Sequence, residues 1–257
     1  MKISIITVCY NSEKTIRDTI ESVVNQKYSN IEYIIVDGNS SDQTMSIVNE
    51  YADYISKVVS EPDSGIYDAM NKGIRMATGD VVGILNSDDF FTSTNSVQHI
   101  VNGFSDEKVD AVYGDLIYVE QTNTKKITRF YSVSKLSTIR IKMGLMIPHP
   151  TFYVKRHLFQ QFGFYKTDYR VSADFELMAR FHLQGMRLSK VNHVIVSMRE
   201  GGISSVGFRW MIHQNQEIVR ACRENGVYTN LAMVCLKIPI KIISRIKRPL
   251  KTVTGAN

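Results

Sequence analysis

The strongest constraint on this fold is an alternation of short apolar runs with amphipathic segments in the first hundred residues. Three runs, Ile3 to Val8, Ile31 to Val36 and Val81 to Leu85, are almost continuously apolar, which is typical of strands buried on both faces of a parallel sheet. A weaker strand is predicted over Ile55 to Ser60. Because the intervening segments have helical spacing, the pattern predicts a doubly wound, mostly parallel α/β sheet with its ligand crevice at the carboxyl ends of the strands.

After residue 104 the pattern becomes α+β in character, so we divide the chain at 1–104, 105–226 and 227–257, the first two forming one domain. The elements predicted after Asp89 are strands over Ala111 to Val119, Lys126 to Tyr131 and Val191 to Met198, and helices over Val97 to Phe104, Ala173 to His182, Phe208 to Glu224 and Leu231 to about Ile246.

The positive charge of the chain is concentrated at one end. The net charge is +6, and residues 231–257 hold six basic residues and no acidic one, so the preceding body is neutral. A nucleic-acid-binding protein would spread basic residues over a face of its fold, and no such motif is present, so we expect no nucleic-acid partner.

The same tail, 227–257, has a wide apolar face with a basic stripe. Lysines and Pro239 interrupt any run long enough to span a bilayer. Such a helix either lies on an anionic membrane surface or packs on the folded body or on a second subunit. Three scattered cysteines and the absence of a signal-peptide pattern indicate a cytoplasmic protein.

Polar residues follow each main strand of the first half. Residues 10–12 are Tyr-Asn-Ser, residues 37–42 begin with Asp37, and residues 86–89 are Asn-Ser-Asp-Asp. Each cluster alone is explained as a turn with a helix cap. Because parallel strands end at one edge of the sheet, the three clusters together predict a binding site.

Asp88 and Asp89 stand next to each other directly after a buried strand. Adjacent carboxylates repel unless a cation is present, and Mg²⁺ or Mn²⁺ prefers one or two carboxylates with phosphate oxygens. The sequence has no glycine-rich phosphate-binding motif after a strand. These residues therefore predict a divalent metal that holds phosphate.

The order of these motifs resembles the family 2 inverting glycosyltransferases, which have the GT-A nucleotide-diphospho-sugar transferase fold. The resemblance lies in residues 4–11 (SIITVCYN), 34–44 (IIVDGNSSDQT), 65–74 (GIYDAMNKGI), 77–80 (ATGD) and 86–89 (NSDD), and then in 148–151 (PHPT), 172–177 (SADFEL) and 201–204 (GGIS). The last three blocks resemble bacterial members that build capsule, O-antigen or colanic-acid-type exopolysaccharide.

The resemblance implies roles for several residues. Tyr10 and Asp37 would lie against the nucleotide base and ribose, and Asp63 would lie near the donor. Asp88 and Asp89 match the Asp-X-Asp-type motif, with Asp89 as the direct metal ligand and Asp88 reaching the ribose or the metal. Many members have a second acidic residue after the position of Asp37, where this chain has Gly38.

Asp174 begins a predicted helix on the same face as Leu177 and Met178. A carboxylate there either compensates the helix dipole, with Ser172 as the cap, or does chemistry. The resemblance assigns it the catalytic base. His149, between two prolines, is equally compatible with core packing and with a contact to acceptor or phosphate.

The resemblance, together with the acidic pair, thus implies a metal-dependent, inverting transferase that moves a sugar from a UDP- or GDP-linked donor to a hydroxyl of a lipid-linked oligosaccharide. It would act peripherally on the cytoplasmic face of the bacterial inner membrane, in surface polysaccharide synthesis. Two alternatives stay open: a nucleotidyltransferase on a related fold, and a non-catalytic sugar-nucleotide-binding or membrane scaffold protein.

Overall fold

The computed structural model describes residues 1–201 and 207–237. Its strands form a single sheet and are β1 (Ile3–Cys9), β2 (Ile31–Asp37), β3 (Lys57–Ser60), β4 (Val81–Ile84), β5 (Asp89–Phe91), β6 (Ala111–Val119), β7 (Ile127–Tyr131), β8 (Tyr153–Lys155) and β9 (Leu188–Arg199). Its α-helices are α1 (Ile16–Val24), α2 (Thr44–Asn49), α3 (Ile66–Met76), α4 (Ser96–Asn102), α5 (Thr138–Lys142), α6 (His157–Phe162), α7 (Ala173–Leu183), α8 (Gly207–Glu224) and α9 (Leu231–Cys235). The strand order is β3-β2-β1-β4-β8-β6-β9-β5, and β7 pairs with β6.

The first four strands are parallel to one another, as the apolar runs predicted. Ile3 of β1 pairs with Ile31 on one side and with Val81 on the other. All seven residues of β1 are buried, because helices cover both faces of the sheet. The α/β fold class is therefore confirmed.

The second half joins this sheet instead of forming a separate one. β8 lies antiparallel between β4 and β6, and β5 lies antiparallel to β9. Gly83 of β4 makes room for β8, since a Cβ there would lie 2.1 Å from the ring of Tyr153. The sequence reading missed β5 and β8, because three residues are too few to show a hydrophobic period.

Two apolar cores lie on the two faces of the sheet. One contains buried residues of α3, α6, α7 and α8, and the other contains buried residues of α1, α2 and α4. The first core includes both α3 and α7. Residues of the two halves of the chain are therefore packed against each other in this core.

The helix predicted over Leu231 to about Ile246 falls only partly within the described residues. α9 ends at Cys235, its Val234 is buried, and Lys237 is also buried, so this lysine does not belong to an exposed basic stripe. Residues 238–257 lie outside the described part of the chain. Within the described ranges, no helix combines the length and the hydropathy that crossing a membrane requires.

Candidate functional site

The polar clusters at the ends of β1, β2 and β4 meet at one edge of the sheet, as predicted. Asn11 donates its backbone N–H to Oγ of Ser40 at 2.8 Å and accepts from the backbone N–H of Ser41 at 2.9 Å. The hydroxyls of Ser12 and Ser87 are 2.8 Å apart. These bonds join the loops after β1, β2 and β4 into one surface.

Asp37 lies at the centre of this surface, but its carboxylate is already bonded. The side chain is fully buried. It accepts from the backbone N–H of Ser40 at 3.0 Å, from the Ser40 hydroxyl and from the Ser60 hydroxyl at 2.6 Å. Asp37 therefore ties the loop after β2 to the end of β3, and its predicted contact with the nucleotide stays a prediction.

Tyr10 and Asp63 approach each other across Gly38. A Cβ at Gly38 would lie 2.6 Å from Oδ2 of Asp63 and 3.4 Å from Cδ2 of Tyr10. The Tyr10 side chain is exposed, and that of Asp63 is partly exposed. The glycine thus leaves room for an accessible carboxylate beside an accessible aromatic ring, at the place where the resemblance puts the donor.

The turn that carries Asp88 and Asp89 is held through its carbonyl groups. The Thr19 hydroxyl of α1 donates to the carbonyls of Ser87, at 3.0 Å, and Asp89, at 2.7 Å. Arg199, at the end of β9, donates to the carbonyl of Asp88 at 2.8 Å. The sequence reading missed both Thr19 and Arg199, because each is distant in the chain from the acidic pair.

The two carboxylates of this turn differ in access and in partners. Asp88 is partly exposed, whereas Asp89 is fully buried beside the side chain of Asn86. Burial raises the pKa of both groups, and Asp88 raises that of Asp89 further. Arg199 acts in the opposite direction on both, and Asn86 does so on Asp89. A buried carboxylate beside a second one fits the predicted divalent cation.

No group of three or more histidine, cysteine or acidic side chains that could hold a metal occurs in residues 1–201 and 207–237. A cation at the acidic pair would therefore complete its coordination with phosphate or water oxygens, as Mg²⁺ usually does. The structure makes Asp88 the more accessible of the two carboxylates, while the assignment of Asp89 as the direct ligand stays a prediction.

Asp174 lies in the first turn of α7, as predicted, and its side chain is partly exposed. Its Oδ1 accepts the backbone N–H of Phe175 at 2.7 Å. Burial raises the pKa of Asp174 to about 6, and Glu217 adds to the increase. Ser172 does not cap the helix with its hydroxyl. A carboxyl group with this pKa is suited to accept a proton near neutral pH.

The segment before α7 is held by a glutamate that the sequence reading missed. Glu217 of α8 accepts the backbone N–H groups of Arg170 at 2.7 Å, Val171 at 2.9 Å and Ser172 at 2.8 Å. The Tyr67 hydroxyl of α3 donates to the carbonyl of Val171 at 2.6 Å. The backbone leading to Asp174 is thus fixed from two helices.

A buried polar network lies beside this segment. Nε2 of His149 is 2.7 Å from the hydroxyl of Tyr165. Asn71 holds the backbone of Tyr165 through its amide, donating to the carbonyl at 2.8 Å and accepting the N–H at 3.0 Å. Burial lowers the pKa of His149 to about 4, so this histidine is neutral at pH 7 and its contact favours the packing role.

A groove lies between the start of α3 and the segment before α7. Its volume is about 230 Å³, and it is lined by residues 64–68 on one side and 167–170 on the other. The groove therefore runs between the two halves of the chain.

Comparison with known proteins shows which sequences and structures this chain is similar to. Residues 4–169 match the model of Glycosyl transferase family 2. The chain is 27% identical over 248 residues to a PGL/p-HBAD biosynthesis glycosyltransferase of Mycobacterium bovis, covering 94% of this chain and 92% of that protein. It is 29% identical over 204 residues to the probable glycosyltransferase YdaM of Bacillus subtilis, covering 73% of this chain and 48% of the relative.

Solved structures share the fold. The structure of S. aureus TarS 1-349 in complex with UDP superimposes with a TM-score of 0.70 at 19% identity, over 98% of this chain and 76% of that one. The mannosyltransferase PcManGT of Pyrobaculum calidifontis, in complex with GDP-Man and Mn²⁺, gives a TM-score of 0.68 at 21% identity, over 95% of this chain and 73% of that one.

Proposed function

Because the chain belongs to glycosyl transferase family 2, we propose that it is an inverting enzyme that transfers a sugar from a UDP- or GDP-linked donor to a hydroxyl of a lipid-linked oligosaccharide. The observation that carries this proposal is Asp174, a partly exposed carboxylate with a pKa of about 6 at the start of α7. Related folds bound to UDP and to GDP-Man with Mn²⁺ support the donor class.

In this mechanism the acceptor oxygen attacks the anomeric carbon in one displacement. Asp174 takes the proton of the acceptor hydroxyl as the new bond forms, and the bond from the anomeric carbon to the diphosphate oxygen breaks. Tyr10 and Asp63 flank the donor at the edge of the sheet, and Asp88 and Asp89 would hold a Mn²⁺ or Mg²⁺ ion. Such an ion, when bound, stabilises charge on the departing diphosphate.

The donor is identified by a thermal-shift panel of UDP- and GDP-sugars with Mn²⁺, since a ligand that binds the native state raises its melting temperature. NMR of the product then gives the anomeric configuration. An inverted product supports the proposal and a retained one contradicts it. Release of pyrophosphate from a nucleoside triphosphate would indicate a nucleotidyltransferase, and binding without turnover would indicate a non-catalytic protein.

We also propose that the chain works on a cytoplasmic membrane surface in the synthesis of bacterial surface polysaccharide, with its C-terminal segment bound to anionic lipid. Residues 238–257 contain five basic residues and no acidic one. Basic residues in such a segment attract anionic lipid headgroups, and salt weakens this attraction. A lipid-linked acceptor would be presented at the same surface.

The membrane proposal is tested by removing residues 238–257, which leaves the packed helix α9 and buried Val234 in place. We expect the shortened protein to lose sedimentation with vesicles containing phosphatidylglycerol. A second variant controls for chain length. It replaces Lys241, Arg245 and Arg248 with Gln in the full chain, so that charge is removed at constant length. Equal sedimentation of the shortened and full chains would show that the segment packs on protein instead.

A further inference from the structure

Glu217, which holds the segment before α7, has no part in the chemistry proposed above. It is buried on α8, with 7% of its surface exposed, and it accepts three consecutive backbone N–H groups that lie 45 to 47 residues away in the chain. A carboxylate that accepts several backbone N–H groups makes strong, charge-assisted bonds. Three donors on one buried group fix the path of the backbone far more tightly than a single bond would.

Two further contacts join α8 to the same segment. The Ser172 hydroxyl lies 3.5 Å from the carbonyl of Gln214, and the guanidinium of Arg170 lies 6.0 Å from the ring centre of Trp210. Ser172 is also the N-cap residue of α7, although its hydroxyl makes no capping bond. Glu217 bonds the N–H of this residue, so a side chain from another helix anchors the start of α7.

We propose that Glu217 is a positioning residue that fixes the segment 170–172 and thereby holds the carboxylate of Asp174 in place for proton transfer. This inference rests on the proposed function. Asp174 follows Ser172 by two residues, and its own carboxylate is oriented by the N–H of Phe175. Any displacement of the segment would move the base with it, and misplacement of about 1 Å can cost about 10²-fold in rate.

Glu217 also acts on Asp174 through its charge. The titratable groups that face Asp174 are Tyr67 of α3, Tyr165 before α7 and Glu217 of α8, and His213 lies 3.6 Å from Glu217. Burial is the main cause of the raised pKa of Asp174, and the negative charge of Glu217 raises it further. Removing this charge is therefore expected to lower the pKa of Asp174.

The test compares Glu217→Gln, which removes the charge, with Glu217→Asp, which keeps the charge and withdraws the carboxylate by one methylene. The control is Glu50→Gln, an equal loss of charge at an exposed side chain that pairs with Arg17. For each variant, ¹³C NMR follows the titration of the Asp174 carboxyl, whose signal is assigned by its absence in Asp174→Asn. Steady-state kinetics give kcat and the donor KM.

We expect Glu217→Gln to shift the Asp174 titration to lower pH and to reduce kcat by about 10- to 100-fold with the donor KM unchanged. Glu217→Asp should reduce kcat while the Asp174 titration stays close to that of the parent. The control should change neither quantity. If Glu217→Gln does not fold, the kcat of Glu217→Asp decides, and a parental value overturns the proposal.

If Glu217→Gln leaves both the Asp174 titration and kcat at the values of the parent protein, Glu217 has only a structural role. The NMR titration does not depend on turnover, which separates this proposal from the function on which it rests. If Glu217→Gln shifts the titration while Asp174→Asn keeps full activity, the assignment of the base fails and the electrostatic contact between Glu217 and Asp174 still stands.

Discussion

Burial raises the pKa of the acidic pair at the end of β4 and that of the single aspartate at the start of α7. The surroundings of these two centres nevertheless differ. Asp89 is fully buried, and the carboxylate of Asp88 raises its pKa further. Asp174 accepts a backbone N–H, and its segment is fixed by Glu217. In the proposed mechanism the first centre would hold a cation, and the second has a carboxylate that can gain and lose a proton.

The largest expected effect is that of Asp174→Asn. We expect kcat to fall by about 10²- to 10⁴-fold, because an amide does not accept the proton of the acceptor hydroxyl. Donor affinity should be unchanged, since this side chain is proposed to act on the acceptor. Isothermal titration with donor and Mn²⁺, beside turnover of the same preparation, checks both values. Near-parental turnover would move the search for the base to Asp63 or His149.

The matching change in the acidic pair is Asp89→Asn. In the parent, Mn²⁺ at 100 times its Kd should stabilise the fold by about 2.7 kcal/mol. In the variant this gain should vanish, while the melting temperature without metal should rise at neutral pH, because the burial that raises the pKa of this carboxyl in the folded state lowers stability there. Thermal denaturation with and without Mn²⁺ measures both effects. Equal stabilisation by Mn²⁺ in parent and variant would show that Asp89 does not bind the metal.

The pH dependence of turnover separates the two centres further. The pKa of Asp174 is about 6, and the base acts only when it is deprotonated. The rate should therefore rise with pH through about 6, be constant above it, and fall about tenfold per pH unit well below it. This limb should be absent from the residual activity of Asp174→Asn. A limb that persists there would belong to another group.

The smallest expected effect on turnover is that of Tyr165→Phe. Its hydroxyl lies 2.7 Å from Nε2 of buried His149, so the change leaves a buried ring nitrogen without this partner and should cost about 1–3 kcal/mol of stability. Turnover below the melting temperature should change less than about threefold, because this hydroxyl bonds His149, which lies outside the segment 170–172 and which we do not propose to exchange protons. Urea denaturation and kcat at 25 °C test this, and Tyr28→Phe, distant from the site, is a control.

The parts of the site that the sequence predicted are those that depend on local pattern. β1 and β2 were placed to within one residue at each end, and the meeting of the three polar clusters followed from the parallel order of the strands. The position of Asp174 in the first turn of α7 was predicted because its motif lies within six consecutive residues. Periodicity and local motifs carry this information directly.

The parts that were missed depend on distant partners. Thr19 holds the carbonyl of Asp89 across 70 residues, Arg199 holds that of Asp88 across 111, and Glu217 holds the N–H of Ser172 across 45. In the sequence each of these residues has the pattern of an ordinary helix or strand position. Only the folded structure shows that they support the acidic side chains.

Strands of the second half pair with strands of the first half in one sheet. This pairing affects how the protein behaves when it is divided into two fragments. β8 covers the edge of β4, whose four residues are all buried, and β5 pairs with β9. A fragment of residues 1–104 would expose an apolar strand edge, and such edges pair with other chains and aggregate. Such a fragment should be insoluble alone and become soluble when residues 105–257 are produced with it. Because both fragments would then be needed for a soluble protein, the pair could serve as a split reporter of their association.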